Sequence, residues 1–230
     1  MISKTTGSRA VNTLIFDMDG TLVDNMGYHN AAWEVWFKAH GLAFEHASFF
    51  ASTAGRTNGE IIAQFMPKEP VANYPELIRE KEQAYQDLYA PKRALMAGLL
   101  PLLQSAKTLG LPCAVGTAAP QMNIGFILDA LDIAGYFQTV VNPGATIRGK
   151  PHPDIFLEAA KRLGVAPAGC VVFEDAPLGL QAASTGGMAS VALSTHASES
   201  ALWAESPLCV RADFTQLALR RVAGLIQLEW

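Results

Sequence analysis

The sequence is short of the features that mark several large protein classes. It has three cysteines, Cys113, Cys170 and Cys209, far apart and odd in number. No CxxC pair occurs, so neither a disulfide frame nor a zinc site is indicated. Cys113 and Cys170 lie in apolar runs and are expected to be core thiols, in a reducing cytoplasm. Lys and Arg number 17, are scattered, and leave a formal net charge of −4. That argues against the basic block with which proteins coat nucleic acid or an anionic membrane, so neither partner is expected. No apolar run approaches the roughly 18 residues a membrane span needs. The opening MISKTTGSRAVN has no apolar stretch of the secretory-signal kind, and about its first ten residues are expected to form a loose tail. Internal repeats and low-complexity tracts are also lacking.

What is present is a chain of 230 residues, 50% hydrophobic and 17% charged. That suits one large globular domain, or a core with a smaller insert. Short apolar, β-branched runs alternate with helical patterns. The expected strands are Thr13–Phe16, Cys113–Gly116, Thr139–Val141, Cys170–Phe173, Ser190–Leu193 and Leu208–Val210. The expected helices are Leu99–Leu109, Met122–Leu131, Pro153–Leu163, Leu178–Thr185 and Phe214–Leu225. Such alternation predicts an α/β fold, a parallel sheet with helices on both faces. From Asn25 to Ala94 the rhythm is helical throughout, with helices over Tyr28–His40, Asn58–Phe65 and Glu76–Tyr89. The expected organisation is a core made of residues 1–24 and 95–230, with a small helical domain, 25–94, inserted after the first strand of the sheet.

Open α/β sheets bind ligands beyond the carboxyl ends of their strands, and four strand ends carry polar residues. After the first comes FDMDGTLVD, residues 16–24. Asp17 and Asp19, two apart in extended chain, share a side. One can attack phosphorus while the other protonates the leaving oxygen and later activates water. After the second comes Thr117, whose hydroxyl, with following N–H groups such as that of Ala118, can hold phosphate oxygens at a helix start. A helix cap is the plainer reading of Thr117 alone. After the third comes GKPHPDIF, residues 149–156, where Lys150 can neutralise a carboxylate and a phosphoryl group together. After the fourth comes VVFEDAPLG, residues 171–179. Adjacent acids behind an apolar strand are costly unless something cationic sits there. Glu174 and Asp175, with Asp17, offer the hard oxygens that Mg²⁺ prefers.

These residues, in this order, resemble the haloacid dehalogenase superfamily over about Thr13 to Leu193. The resemblance implies a Rossmann-like core and a cap domain in the helical insert. It implies Asp17 as nucleophile and Mg²⁺ ligand. Asp19 would be general acid/base and lend its backbone carbonyl to the metal. Thr117 and Lys150 would hold the phosphoryl group. Asp175 would complete the metal shell, with Glu174 supporting it through water. Members that cleave carbon–halogen bonds or phosphonates lack an acid at the place of Asp19, so its presence favours phosphate esters.

Within the superfamily the insert looks most like the cap of β-phosphoglucomutase and related sugar phosphatases. DNMGYHNAAW, with His29 and Trp33, and REKEQAYQDLY, with Lys81 and Tyr85, carry that likeness. Lys81 shares a helical stripe with Ile78, Tyr85 and Leu88. It either snorkels to water or reads substrate, and His29 has the same two readings. STAGRTNGE, residues 52–60, reads as a substrate-reading turn in which Arg56 can fork onto phosphate or sugar oxygens. Asn58 stands where the mutases carry an arginine for a second phosphate. The expectation is therefore a phosphatase of small phosphorylated metabolites, sugar or polyol phosphates, acting as a monomer or homodimer. A phosphomutase is the alternative.

Overall fold

In the computed structural model, which describes residues 6–53, 57–143 and 147–230, the apolar runs form a parallel sheet covered by helices. The chain divides into two compact units, Met1–Asp24 with Ala94–Trp230, and Asn25–Arg93. In the first unit a six-stranded sheet joins β2 (Thr13–Phe16), β3 (Cys113–Gly116), β4 (Thr139–Val141), β5 (Cys170–Glu174), β6 (Ala189–Leu193) and β7 (Val210–Arg211). The spatial order is β4-β3-β2-β5-β6-β7, and every pairing is parallel. The connections are α5 (Leu99–Leu109), α6 (Gln121–Leu128), α7 (Asp154–Leu163), α8 (Pro177–Thr185) and α9 (Glu199–Ala204).

Strands β2 and β5 are buried along their whole length, as a sheet covered on both faces requires. Successive residues serve opposite faces. Ile15 and Val172 enter a cluster with Ile155 and Phe156 of α7. Phe16 and Phe173, their neighbours in the chain, pair in register and stack with ring centroids 4.7 Å apart. The Asp17 N–H continues the ladder one step, donating to the Phe173 carbonyl at 3.0 Å. That register brings the residues beyond Phe16 and Phe173 to adjacent strand ends.

The C-terminal segment differs from expectation. Instead of a helix over Phe214–Leu225, a hairpin forms from β8 (Ala218–Val222) and β9 (Leu225–Glu229). Ala223 and Gly224, both at positive φ (48° and 83°), make the two-residue turn whose twist suits a hairpin. Leu219 and Leu228 pair across the strands and are buried. The expected loose tail is also pinned in part, because β1 (Ser8–Ala10) adds to β9 as a third antiparallel strand. Gly7 and Trp230 exchange both backbone hydrogen bonds, at 2.9 and 3.0 Å. The seventh strand lies later than expected, at Val210–Arg211.

The second unit holds α1 (Met26–Ala39), α2 (His46–Thr53), α3 (Asn58–Phe65) and α4 (Tyr74–Tyr89). Its core is Trp33, Trp36, Phe37, Phe49, Ile61, Ile62 and Leu77. Of the expected turn over residues 52–60, residues 52–53 and 58–60 are helical. Ser52 and Thr53 end α2, with the Thr53 hydroxyl donating to the Phe49 carbonyl at 2.7 Å. Thr57 and Glu60 form a capping box that starts α3 at Asn58. Arg56 lies outside the described residues.

All three cysteines are buried. Burial pushes the Cys113 thiol up to about 12 and those of Cys170 and Cys209 up to about 11. A thiol held so far from its thiolate is a poor nucleophile. Ellman's reagent is therefore expected to titrate none of the three in the native protein at pH 8 and all three in denaturant. A native thiol reacting at the free-cysteine rate contradicts the packing.

Candidate active site

Four polar loops follow strand ends on one edge of the sheet. Asp17 leaves β2 and is 6% exposed; Glu174 ends β5 at 1%, and Asp175 follows at 6%. One carboxylate oxygen from each of the three lies within 4.8 Å of the others. Lys150, carried in on the loop before α7, donates to Asp17 Oδ1 at 2.5 Å and also to Glu174 Oε1. Its Nζ sits 5.0 Å from the centroid of the Phe156 ring. The loop is tied to the start of α7 by Arg148, whose Nε and Nη2 fork onto the Asp154 carboxylate at 2.9 and 2.8 Å. The second Glu174 oxygen accepts from the Ala176 N–H at 2.7 Å.

Two glycines make this crowding possible. Gly20 has φ 81°, and a Cβ there would overlap the Asp175 carboxylate. At Gly179, in the first turn of α8, a Cβ would overlap the Glu174 carboxylate. The sequence therefore lets a turn and a helix close directly on the two acids.

The electrostatics are unbalanced. Three buried carboxylates face one ammonium. Burial pushes Asp17 up to about 8; Lys150 opposes the shift, while Glu174 and Asp19 add to it. Asp175 is raised well above the usual carboxylate range by burial, then by Glu174 and Asp17. Burial alone would lower Lys150, but Asp17 and Glu174 hold it above the ordinary lysine range. Hard oxygen donors that, once ionised, carry two charges in excess of their ammonium fit a divalent cation.

Asp19 is half-buried on the turn that follows Asp17, where the Gly20 N–H donates to the Val23 carbonyl at 2.8 Å. Thr117 is buried after β3, and its hydroxyl accepts from the Ala119 N–H at 3.0 Å. It is not the cap of α6, a place taken by Pro120. Ala118 beside it is exposed.

In the second unit a different cluster forms. Lys81 is 2% exposed, so its stem does not carry the ammonium to water. Its Nζ lies 2.9 Å from His29 Nδ1 and donates to Glu82 Oε1 at 3.0 Å. The rings of Trp33 and Tyr85 stand 5.3 and 5.9 Å from it. His29 stacks on Tyr85 with centroids 3.8 Å apart, and the Tyr85 hydroxyl accepts from Asn25 Nδ2 at 2.7 Å. Asn58 donates to Glu82 Oε1 at 2.6 Å. Glu82 binds both Lys81 and Asn58, and sequence reasoning passed over it. An acid beside a lysine on a helix normally reads as solvated, and only its place in the Tyr85 and Tyr89 stripe could have signalled burial.

Comparisons with known proteins agree with this architecture. The family described as haloacid dehalogenase-like hydrolase matches residues 11–187. A fructose-1-phosphate phosphatase of Escherichia coli is 34% identical over 180 residues, covering 77% of this chain and 94% of its own. A β-phosphoglucomutase of Bacillus subtilis is 31% identical over 189 residues, covering 79% of this chain and 82% of its own. Among solved structures, a β-phosphoglucomutase from Clostridium difficile superposes with a TM-score of 0.78 at 25% identity, covering 90% of this chain and 93% of its own.

The charge imbalance gives a signed expectation. The folded chain keeps on Asp17 a proton that the unfolded chain releases near the ordinary value of 3.8. Cation-free stability from this group is thus greatest at low pH and falls as pH rises from about 4 toward about 8. A cation bound to these oxygens would displace that proton, so a fixed Mg²⁺ concentration about a hundredfold over Kd at pH 8 should add about 2.7 kcal/mol there, several degrees in Tm. The gain should be larger at pH 8 than at pH 5.5. Asp175→Asn should lose the gain while melting no lower than wild type without metal. Thermal unfolding with and without Mg²⁺ checks this, and an undiminished response in Asp175→Asn counts against the site.

Proposed function

This chain belongs to the haloacid dehalogenase-like hydrolase family, and from that premise we propose that it is a Mg²⁺-dependent phosphatase of small phosphorylated metabolites, sugar or polyol phosphates. The observation that carries the proposal is the buried group of Asp17, Glu174 and Asp175 with Lys150, at the ends of the two central parallel strands. The fructose-1-phosphate phosphatase relative supports the substrate class.

Asp17, Glu174 and Asp175 would hold the metal, with the Asp19 carbonyl. When bound, Mg²⁺ screens charge on the phosphoryl oxygens and lets the carboxylates ionise together. The residues then have distinct tasks. An Asp17 oxygen attacks phosphorus in line as the bond to the ester oxygen breaks. Asp19 gives its proton to that departing oxygen, which leaves as an alcohol. The product is an aspartyl-phosphate on Asp17. Asp19, now a carboxylate, takes a proton from water as that water attacks phosphorus, releasing inorganic phosphate and restoring Asp17. Lys150 orients Asp17 and offsets charge on the phosphoryl group, with Thr117 and Ala118 beyond β3 as further phosphate holders. Helical residues 25–93 act as the cap, and His29, Lys81, Asn58 and Arg56 select the substrate.

The β-phosphoglucomutase relative motivates a second reading, phosphoryl transfer within a sugar phosphate. Phosphorus-31 NMR with Mg²⁺ and a mixture of sugar phosphates that includes β-glucose 1-phosphate and fructose 1-phosphate separates the two. Growth of inorganic phosphate is the expected result. Conversion of β-glucose 1-phosphate to the 6-phosphate without free phosphate would establish the mutase instead. Asp17→Asn should reduce turnover at least about a thousandfold, as loss of a nucleophile does, with an unchanged circular dichroism spectrum. Near-normal activity in that variant overturns the mechanism.

A further inference from the structure

The turn bearing Asp19 is held from a part of the chain that lies beyond the family match. The Thr195 hydroxyl donates to the Gly20 carbonyl at 2.8 Å, across 175 residues of sequence. Next to it, His196 Nε2 lies 3.2 Å from Asp24 Oδ1, where the same turn ends. Thr195 and His196 follow β6, which is separated from β2 by β5. The family match ends at residue 187, before this loop begins.

Gly20 is thereby fixed from three sides. Its N–H donates to the Val23 carbonyl at 2.8 Å. The place of its missing Cβ is filled by the Asp175 carboxylate. Its carbonyl is fixed by Thr195. At φ 81° a glycine has the widest choice of backbone states of any residue, so its conformation must be imposed from outside. Asp19 precedes Gly20 in the chain, and a rotation of Gly20 swings the Asp19 backbone relative to Asp17 and Asp175.

We propose that Thr195 is a positioning residue for Asp19. By holding the Gly20 carbonyl it keeps the proton donor aligned with the leaving oxygen. The proposal rests on the phosphatase reading and adds a residue to it. Thr195 lies on the β6 loop and acts through the turn, without touching substrate.

Leaving-group chemistry tests it. The first half-reaction, reported by kcat/KM, needs a proton from Asp19 when an alkoxide departs and much less when a stable phenolate departs. The probes are fructose 1-phosphate and p-nitrophenyl phosphate, both at Mg²⁺ concentrations that saturate each variant, so that metal affinity does not enter the ratio. Thr195→Val should lower kcat/KM for the sugar phosphate roughly tenfold to a hundredfold, the scale of a misaligned catalytic group. The aryl ester should fall by less than about threefold, because there the proton is scarcely needed. Thr195→Ser, which keeps the hydroxyl, should restore both. Equal losses on the two esters, no loss on either, or failure of serine to rescue would overturn the positioning role. A Thr195→Val protein that does not fold leaves the serine variant and Thr195→Ala to decide by the same ratio. Wild-type protein inert to both esters would instead overturn the phosphatase reading, and the role assigned to Thr195 with it.

Discussion

The crowding of three buried carboxyl groups around one ammonium at the ends of β2 and β5 sets the terms for the rest of the core. Three carboxyl groups with an oxygen each within 4.8 Å of the others, almost shielded from water, carry a desolvation cost that calls for compensation. The register pairing Phe16 with Phe173 puts Asp17 and Glu174 side by side. Gly20 and Gly179 remove the atoms that would keep the loops from closing. Lys150 supplies one compensating charge from a loop that the Arg148–Asp154 fork stiffens. Each of these features costs stability or freedom by itself. They are explained together by the hydrolase site proposed above, which would take a cation and a phosphate dianion.

The helical unit meets a similar problem in another way. Lys81 and Glu82 are as buried as the core acids. Yet the ammonium and carboxylate touch each other, and His29 and Asn58 take up further hydrogen-bonding capacity. Two aromatic faces near the ammonium add cation–π attraction, worth about 2 kcal/mol or more at desolvated sites. Charge here is paired from within, whereas in the core site three carboxylates share one ammonium and burial raises both aspartates.

Much of this was legible in the sequence, and the exceptions have physical reasons. The strands carrying the acids stand out because an apolar, β-branched run followed at once by carboxylates is a local signature. Thr13–Phe16 and Cys113–Gly116 begin and end where the pattern places them. The C-terminal hairpin was hidden because Leu, Ala and Arg in LALRRVAGL favour helix. What overrides that preference is non-local, since β9 gains its second partner from β1 at the far end of the chain. The Ala223–Gly224 turn was its one local sign. Glu82 was hidden by its neighbour, because an acid–base pair on a helix is usually solvent-facing.

Thr195 was illegible for a different reason. A threonine between serine and histidine in a polar loop has no motif, and its meaning lies wholly in reaching the Gly20 carbonyl. A reading based on strand-end acids finds the groups with the chemistry to bond substrate or metal, because that chemistry is needed at particular places. It misses residues that hold the backbone, because many side chains can make one hydrogen bond to a carbonyl and only topology decides which arrives. In this fold the β6 loop reaches past β5 to the turn of β2. The loop after the sheet's fifth strand in chain order therefore reaches the turn after its first, and the proposed alignment of Asp19 would depend on chain beyond its own motif.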